Sequence, residues 1–278
     1  MNQSLKKFKT IGTHTLLLML SFVWIYPFLW MVSASFKSQD ELFKRGLSLI
    51  PENFTFDNFI RAWQKANFET YFINSIIVTT ATVLLVLMAS SMTGYALGKF
   101  NFKGKKIIMT TLLASMVIPL GFTIIPIYQL LKNLGLVNSR LGLILAESGG
   151  NHIIYILLFA SFFAQAPKEL GEAAKIDGCG FFKTFALIMF PLAKPIIGSV
   201  IIMQSIWTWN SFLLPLTLTL SNESIRTLSV GLYVLKGENV VDWTGIAAGG
   251  AIALIPIIIV FISLQKYFVE GIAGSVKG

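Results

Sequence analysis

The amino-acid sequence predicts an all-α, polytopic membrane protein: one membrane domain over residues 1–278, with six transmembrane helices and both termini cytoplasmic. Three observations carry that expectation. Of the 278 residues, 55% are hydrophobic and only 13% charged, with a mean hydropathy of +0.73, whereas soluble domains run about 25% charged and about 45–50% apolar. Six charge-free runs come close to the roughly 20 residues a helix needs to cross a hydrocarbon core of about 30 Å. Lys and Arg collect in alternate connecting segments, so the formal net charge of +9 has a direction as well as a size.

The first run, about residues 15–33, follows a short basic segment with Lys6, Lys7 and Lys9. The apolar stretch from His14 to Ala34 is too long for the core of a secretory signal and ends in bulky aromatics instead of an A-x-A pattern, so a retained span is expected. The second and third runs cover about 71–97 and 107–131. The fourth covers about 151–166, with 141 as the alternative start, because Gly149-Gly150-Asn151 interrupts the apolar pattern beyond Leu141 to Ala146. The fifth and sixth cover about 195–220 and 244–264. Pro119, Pro126, Pro215 and Pro256 each remove a backbone hydrogen bond and kink a helix. In lipid such kinks persist only where protein or a watery cavity satisfies the freed carbonyls, which fits helices around a cavity and ordinary packing adjustment equally well. Gly94 with Gly98, and Gly245 with Gly249, have small-xxx-small spacing and are read as packing positions.

Orientation follows from the loops. With the N-terminus inside, segments 1–10, 98–106, 167–194 and 265–278 hold 13 basic and 4 acidic residues, while 34–70, 132–150 and 221–243 hold 9 of each. The whole positive excess therefore falls on the cytoplasmic face. It lies between apolar stretches, unlike the single water-exposed basic face of a nucleic-acid binder, and no nucleic-acid partner is expected. One cysteine, Cys179, cannot form an intramolecular disulfide.

The six runs as drawn contain no Asp, Glu, Lys or Arg. Carriers driven by ion gradients generally need such residues in the membrane, so a secondary carrier is disfavoured, although carbonyl-built sodium sites keep it open. No H-E-x-x-H, G-x-S-x-G, P-loop or Cys/His zinc pattern occurs, and His14 and His152 are isolated and read as structural. The chain is expected to be neither an enzyme nor the holder of a metal or cofactor. Uncharged polar residues do lie in the runs: Asn74, Gln129, Asn151, Gln165, Gln204, Ser205, Trp207, Trp209 and Asn210. Amides and aromatic faces suit hydroxylated solutes, which makes Gln204, Trp209 and Asn210 candidates for a solute path. Interhelical hydrogen bonding explains the same residues equally well.

The cytoplasmic segment 167–194 carries the strongest local pattern. Pro167 opens a short helix rich in helix formers that stops at Asp177-Gly178, where glycine can take the left-handed cap conformation. Ala173 and Ala174 leave one face nearly bare of side chains, and a second apolar stretch from Phe181 to Phe190 is closed by Pro191. A helix–turn–helix of this kind suits docking into a cleft of a soluble partner, and also suits resting on lipid headgroups.

Glu172-Ala173-Ala174, three residues, Gly178, nine residues, then Ile188 and Pro191 resemble the EAA loop of binding-protein-dependent ABC importer permeases. Phe190 stands where the pattern has leucine. The likeness extends to Tyr71-Phe72-Ile73-Asn74-Ser75, Ile118-Pro119, Ile125-Pro126, Trp209-Asn210 with Phe212 and Pro215, and the tail from Gln265 to Gly278, which are similar to the maltose-type carbohydrate permeases. Where that family usually follows Trp-Asn with Asp, this chain has Ser211, so a role needing an acid there does not carry over.

The resemblance implies a type I ABC importer permease fold in a bacterial plasma membrane, crossing it several times. It implies partners: a second homologous permease, a dimer of cytoplasmic ATPases that use the ATP and Mg, and an extracellular solute-binding protein. The cargo implied is a sugar, with glycerol phosphate or a polyol as the runner-up within the family; a secondary carrier and a membrane scaffold are the readings from other classes. Glu172, Ala173, Ala174, Asp177, Gly178, Ile188 and Pro191 become the expected ATPase-coupling residues, Glu172 through charge and the small residues through fit. The tail after Phe268 is expected to reach towards the ATPase interface, and the loop 221–243 to meet the binding protein with its tip at Tyr233 to Val241.

Overall fold

A computed structural model of the chain describes residues 3–65, 67–149, 152–237 and 241–276. Among these residues the secondary structure is helical throughout, with no strand. The chain falls into two compact units, one from the described parts of residues 1–68 and 231–255 and the other from 69–230 and 256–278.

In the first unit, α1 (Gln3–Ala34) is a long helix whose side chains from Lys9 on are apolar nearly all round and exposed, the pattern of a helix facing lipid or another protein. Its end packs with α2 (Gln39–Lys44), where Ser38 caps the helix by accepting from the Glu41 N–H at 3.2 Å, and Ala34, Leu42 and Ala247 form a small core with Trp30 and Met31. Phe36 stacks on Phe54 at 4.6 Å and meets Phe56 edge-on at 5.5 Å, while the Asn58 side-chain amide donates to the Ser35 and Lys37 carbonyls at 2.8 and 2.7 Å. These contacts turn the segment after α1 into a folded cap that leads into α3 (Asp57–Lys65).

Asp242 fixes the start of the last helix, α15 (Trp243–Val276), by accepting from the Gly245 N–H at 2.9 Å, which is N-cap geometry. The Arg61 guanidinium of α3 forks onto the same carboxylate, each nitrogen at 3.2 Å. Burial pushes the Asp242 carboxyl up, but the hydrogen bonds from Arg61, Gly245 and Thr244 and the Arg61 charge outweigh it and hold it below the usual carboxylate range. The unfolded reference sits near pH 3.9, so this contribution is complete above about pH 4 and is lost as pH falls through the lower folded value. Thermal unfolding of the detergent-solubilised chain is therefore expected to weaken more steeply below about pH 4 in the wild type than in Asp242→Asn, which lacks the titrating group; parallel profiles would remove this assignment. Gly245, expected as a helix-packing glycine, owes its size to this cap: a Cβ there would sit 2.6 Å from an Asp242 oxygen.

The second unit is built on α4 (Phe68–Lys99) and α8 (Ile153–Gln165). A Cβ on Gly94 would lie 2.4 Å from the Phe159 Cβ, and one on Gly98 2.6 Å from the Ala160 carbonyl, so the two glycines let α4 and α8 touch backbone to backbone. Around that contact Val86, Tyr95, Phe159, Phe163, Phe185, Met189 and Val200 form the main core. A second core holds Val78, Leu131, Leu143, Ala146 and Leu218.

The expected runs map unevenly onto helices. Runs 15–33, 71–97 and 244–264 lie inside α1, α4 and α15, each long and apolar enough to cross a bilayer. Run 107–131 is divided into α5 (Lys105–Ser115) and α6 (Leu120–Asn133), with Pro119 at the start of the second piece and Pro126 inside it. Around the fourth run, α7 (Arg140–Ser148) and α8 form a bent pair at 54° that is together apolar enough to cross a bilayer, and the boundary at Asn151 lies outside the described residues. Run 195–220 ends as a continuous helix at Asn210 and continues as a separate short helix, α13 (Leu213–Leu218), with Pro215 in its first turn, and α14 (Leu228–Val234) follows.

Candidate functional site

The segment 167–194 has the form its sequence dictates. Helix α9 (Lys168–Ile176) starts after Pro167 and ends at Asp177. Gly178 takes φ +76, its N–H reaches the Lys175 carbonyl at 3.1 Å, and the Cys179 N–H reaches the Ala174 carbonyl at 2.8 Å. Those two bonds are the Schellman pair, which needs a residue comfortable in the left-handed region at that point. A Cβ on Gly178 meets nothing within 4 Å, so within this chain the glycine is required by backbone conformation alone.

The two alanines separate. Ala173 is exposed, but Ala174 is 1% exposed and packs inside the chain. The bare face expected of both therefore belongs to Ala173 alone, because residues one apart on a helix point about 100° from each other. Glu172, Asp177, Gly178 and Pro191 are exposed and Ile188 is half-buried. Glu172 lines a cavity of about 470 Å3 with Lys99, Lys168 and Lys175, and exposed Ile176 and Phe182 flank the same projection. After the turn come α10 (Phe181–Thr184), a π-helical turn Phe185–Met189 and α11 (Phe190–Leu192). Pro191 lies within α11 and does not close the stretch; the chain turns by 80° at Ala193 into α12 (Lys194–Asn210).

The candidate solute-path residues do not converge. Gln204 is 1% exposed, donates to the Thr208 hydroxyl at 2.8 Å and lines a small cavity of about 180 Å3 with His152, Tyr155 and Trp207. Trp209 is buried against Phe72, edge to face at 5.7 Å, and Asn210 is exposed, donating to the Ile206 carbonyl on its own helix at 2.8 Å. At about 100° per residue, positions 204, 209 and 210 cannot share one face of α12. Asn74 is also a structural tie: its amide donates to the Ser224 and Arg226 carbonyls at 2.8 and 3.0 Å, and its oxygen accepts from Arg140 Nε at 2.9 Å.

What does converge is the Glu147–Ser211 pair. With α7 joined to α8, Glu147 enters the apolar helix pair; it is 3% exposed, and Ser211 Oγ donates to its Oε1 at 2.5 Å. Glu147 and Ser211 line a cavity of about 360 Å3 with Thr123, Ile127 and Trp207. The spans are thus free of acidic residues only with the fourth run taken from 151 onwards. The available signal was Glu147 one helical turn from Leu143 and beside Ala146; its partner, 64 positions away in sequence, gave none.

This helical scaffold is the permease fold of ABC importers: a bacterial ABC transporter involved in the import of the acidic polysaccharide alginate superimposes with a TM-score of 0.78 over 96% of this chain and 99% of that one, at 24% identity. Residues 90–274 match the family described as binding-protein-dependent transport system inner membrane component, and the chain belongs to that family. Curated relatives include the diacetylchitobiose uptake system permease protein NgcG of Streptomyces coelicolor, 34% identical over 98% of this chain and 88% of that protein. The arabinooligosaccharides transport system permease protein AraQ of Halalkalibacterium halodurans is 36% identical over 93% of each chain. The chain is accordingly a membrane-embedded transport subunit and not itself an enzyme.

Proposed function

We propose that this chain is one permease subunit of an ATP-driven, binding-protein-dependent sugar importer, with an oligosaccharide as cargo. It pairs with a second, homologous permease, rests on a dimer of cytoplasmic ATPases that bind the ATP and Mg, and receives solute from an extracellular binding protein. The observation that carries this reading is α9, a capped helix with an exposed Glu172 and Ala173, carrying the EAA spacing inside the family match. The names of the relatives NgcG and AraQ support a saccharide cargo.

In this reading the membrane is the bacterial plasma membrane, crossed six times with both termini cytoplasmic, and the loop 167–194 lies on the side where ATP is found. Closure of the ATPase dimer on ATP moves α9 as a rigid body and switches the cavity between inward and outward access. Glu172 supplies a charge contact to the partner, Ala173 and Gly178 permit close approach, and Asp177, Ile188 and Pro191 belong to the same coupling loop. The segment beyond Phe268, helical to Val276, extends towards the ATPase interface. The loop 221–243 contacts the binding protein, with residues 238–240 of its tip outside the described structure. ATP-dependent uptake by the reconstituted complex tests the reading, with ATP hydrolysis rising on addition of sugar-loaded binding protein; a chain that transports alone under an ion gradient overturns it.

A further inference from the structure

The end of α2 and the turn after it, residues 43–50, are built unlike an aqueous loop. Phe43, Leu47 and Ile50 are 67%, 75% and 79% exposed. The backbone beside them is nevertheless satisfied from within the chain. The Arg45 carbonyl accepts from the Ser48 N–H at 2.9 Å, the Gly46 carbonyl from Trp30 Nε1 at 2.5 Å and the Leu47 carbonyl from the Tyr26 hydroxyl at 2.7 Å. Buried Lys37 donates through Nζ to the Ser48 carbonyl, and the buried Glu41 carboxylate accepts from the Glu52 and Asn53 N–H groups at 2.7 and 3.4 Å. In an aqueous loop, water serves such groups. A segment lying in lipid has to satisfy them inside the protein while its apolar side chains face out, and these residues do both.

The two aromatic donors also set a depth. Tyr26 stands eight residues before the end of α1 at Ala34, about 12 Å along the axis at about 1.5 Å per residue, and a helical side chain leans further towards the N-terminus. The chain therefore folds back beside α1 by about two turns to bring Gly46 and Leu47 to these donors. Counted from Lys9, where the apolar part of α1 begins, a hydrocarbon core of about 30 Å ends near Leu29. Tyr26 and Trp30 bracket that level, where Trp and Tyr gather at membrane surfaces. Exposed Lys44 and Arg45, the latter paired with Glu52 at 2.5 Å, supply basic groups suited to phosphate headgroups. The apolar surface of α1 that leads up to this level is itself unburied. We propose that residues 43–50 are seated in the interfacial layer of the bilayer, with Phe43, Leu47 and Ile50 against lipid and with Tyr26 and Trp30 tying the segment to α1. The occupant of this surface is lipid, in the outer leaflet for a chain with its N-terminus inside. This seating requires that α1 cross the membrane and is independent of cargo and of coupling.

The test uses the assembled transporter in lipid nanodiscs, with Cys179 and the cysteines of the other subunits replaced by serine. A single cysteine is then placed by Leu47→Cys, Ile50→Cys, Leu18→Cys or Lys103→Cys and labelled with an environment-sensitive fluorophore. Phosphatidylcholine brominated on its acyl chains quenches from the lipid side, and iodide from the water. Leu18, exposed within α1, is the reference in lipid, and Lys103, exposed in the charged segment after α4, is the reference in water. Labels at 47 and 50 are expected to behave like the one at 18: blue-shifted, quenched by brominated lipid and several-fold less sensitive to iodide than the label at 103. Adding Tyr26→Phe and Trp30→Phe, which removes both donors, should move the label at 47 away from lipid quenching and towards iodide, with the label at 18 unchanged. Iodide quenching at 47 and 50 equal to that at 103 would overturn the proposal. Labels shielded from both quenchers would overturn it too, as the sign that a second permease subunit covers the surface. A label at 47 unmoved by loss of both donors would overturn their part in the seating. If position 18 is also open to iodide and not to lipid, α1 does not span and the six-span reading falls with the proposal; lipid quenching at 18 alone leaves that reading standing.

Discussion

Glu172→Lys is expected to reduce solute-stimulated ATP hydrolysis and uptake to background in the assembled transporter while the chain still folds and inserts. The fold is insensitive because Glu172 is exposed, and a surface charge of this kind contributes about 0–1 kcal/mol. The interface is sensitive because the cavity beside it already carries Lys99, Lys168 and Lys175, so the variant replaces the local acid with a further base. Disrupting a desolvated charge pair at an interface costs about 2–5 kcal/mol, or roughly 30- to 4,000-fold in affinity. Glu172→Gln, which removes the charge without reversing it, should fall between. Size-exclusion profiles and thermal unfolding that match wild type, together with lost stimulation, would establish coupling; normal stimulation in the Lys variant would remove α9 from the coupling account.

Gly94→Leu is the largest expected effect on folding. Its Cβ alone would lie 2.4 Å from Phe159 Cβ and 2.9 Å from the Ala160 nitrogen, and the second of these is backbone that cannot swing aside. Helices α4 and α8 would have to separate at the centre of the core that holds Tyr95, Phe159 and Phe163. Overpacking typically costs about 1–3 kcal/mol, and a backbone clash of this depth belongs above that range, against a total stability of about 5–15 kcal/mol. The variant should be recovered mainly as aggregate after detergent extraction. Gly12→Ala, at a position where a Cβ meets nothing within 4 Å, is the control and should behave as wild type. A monodisperse Gly94→Leu with unchanged thermal unfolding would contradict the α4–α8 packing.

The difference between these glycines was only partly legible in the sequence. Spacing marks Gly94 with Gly98, and Gly245 with Gly249, as equivalent pairs, yet Gly245 serves the Asp242 cap while Gly94 and Gly98 serve a helix crossing. Hydropathy located α1, α4 and α15 because each is a single long helix with charged or polar ends. It could not locate the breaks at residues 116–119 and 211–212, since a break in apolar sequence leaves hydropathy almost unchanged and proline marks helix starts as well as kinks. Helix α9 was readable to its cap because a Schellman ending is a local pattern, fixed by Gly178 and its neighbours. The solute path was not, because choosing among polar residues requires knowing the helix faces, and α12 turns Gln204, Trp209 and Asn210 in different directions. Glu147 was hidden by a boundary: a start at 151 leaves it in a loop, while the bent pair α7–α8 places it in an apolar wall.

In the proposed importer, energy enters through α9 and not through the membrane field. Uptake of a labelled oligosaccharide into proteoliposomes holding the complete transporter, with loaded binding protein outside and ATP enclosed, tests it most directly when compared with the same vesicles given a proton or sodium gradient and no ATP. Uptake is expected with ATP, is lost in Glu172→Lys, and is absent with either gradient alone. Gradient-driven uptake without ATP, unaffected by Glu172→Lys, would contradict it.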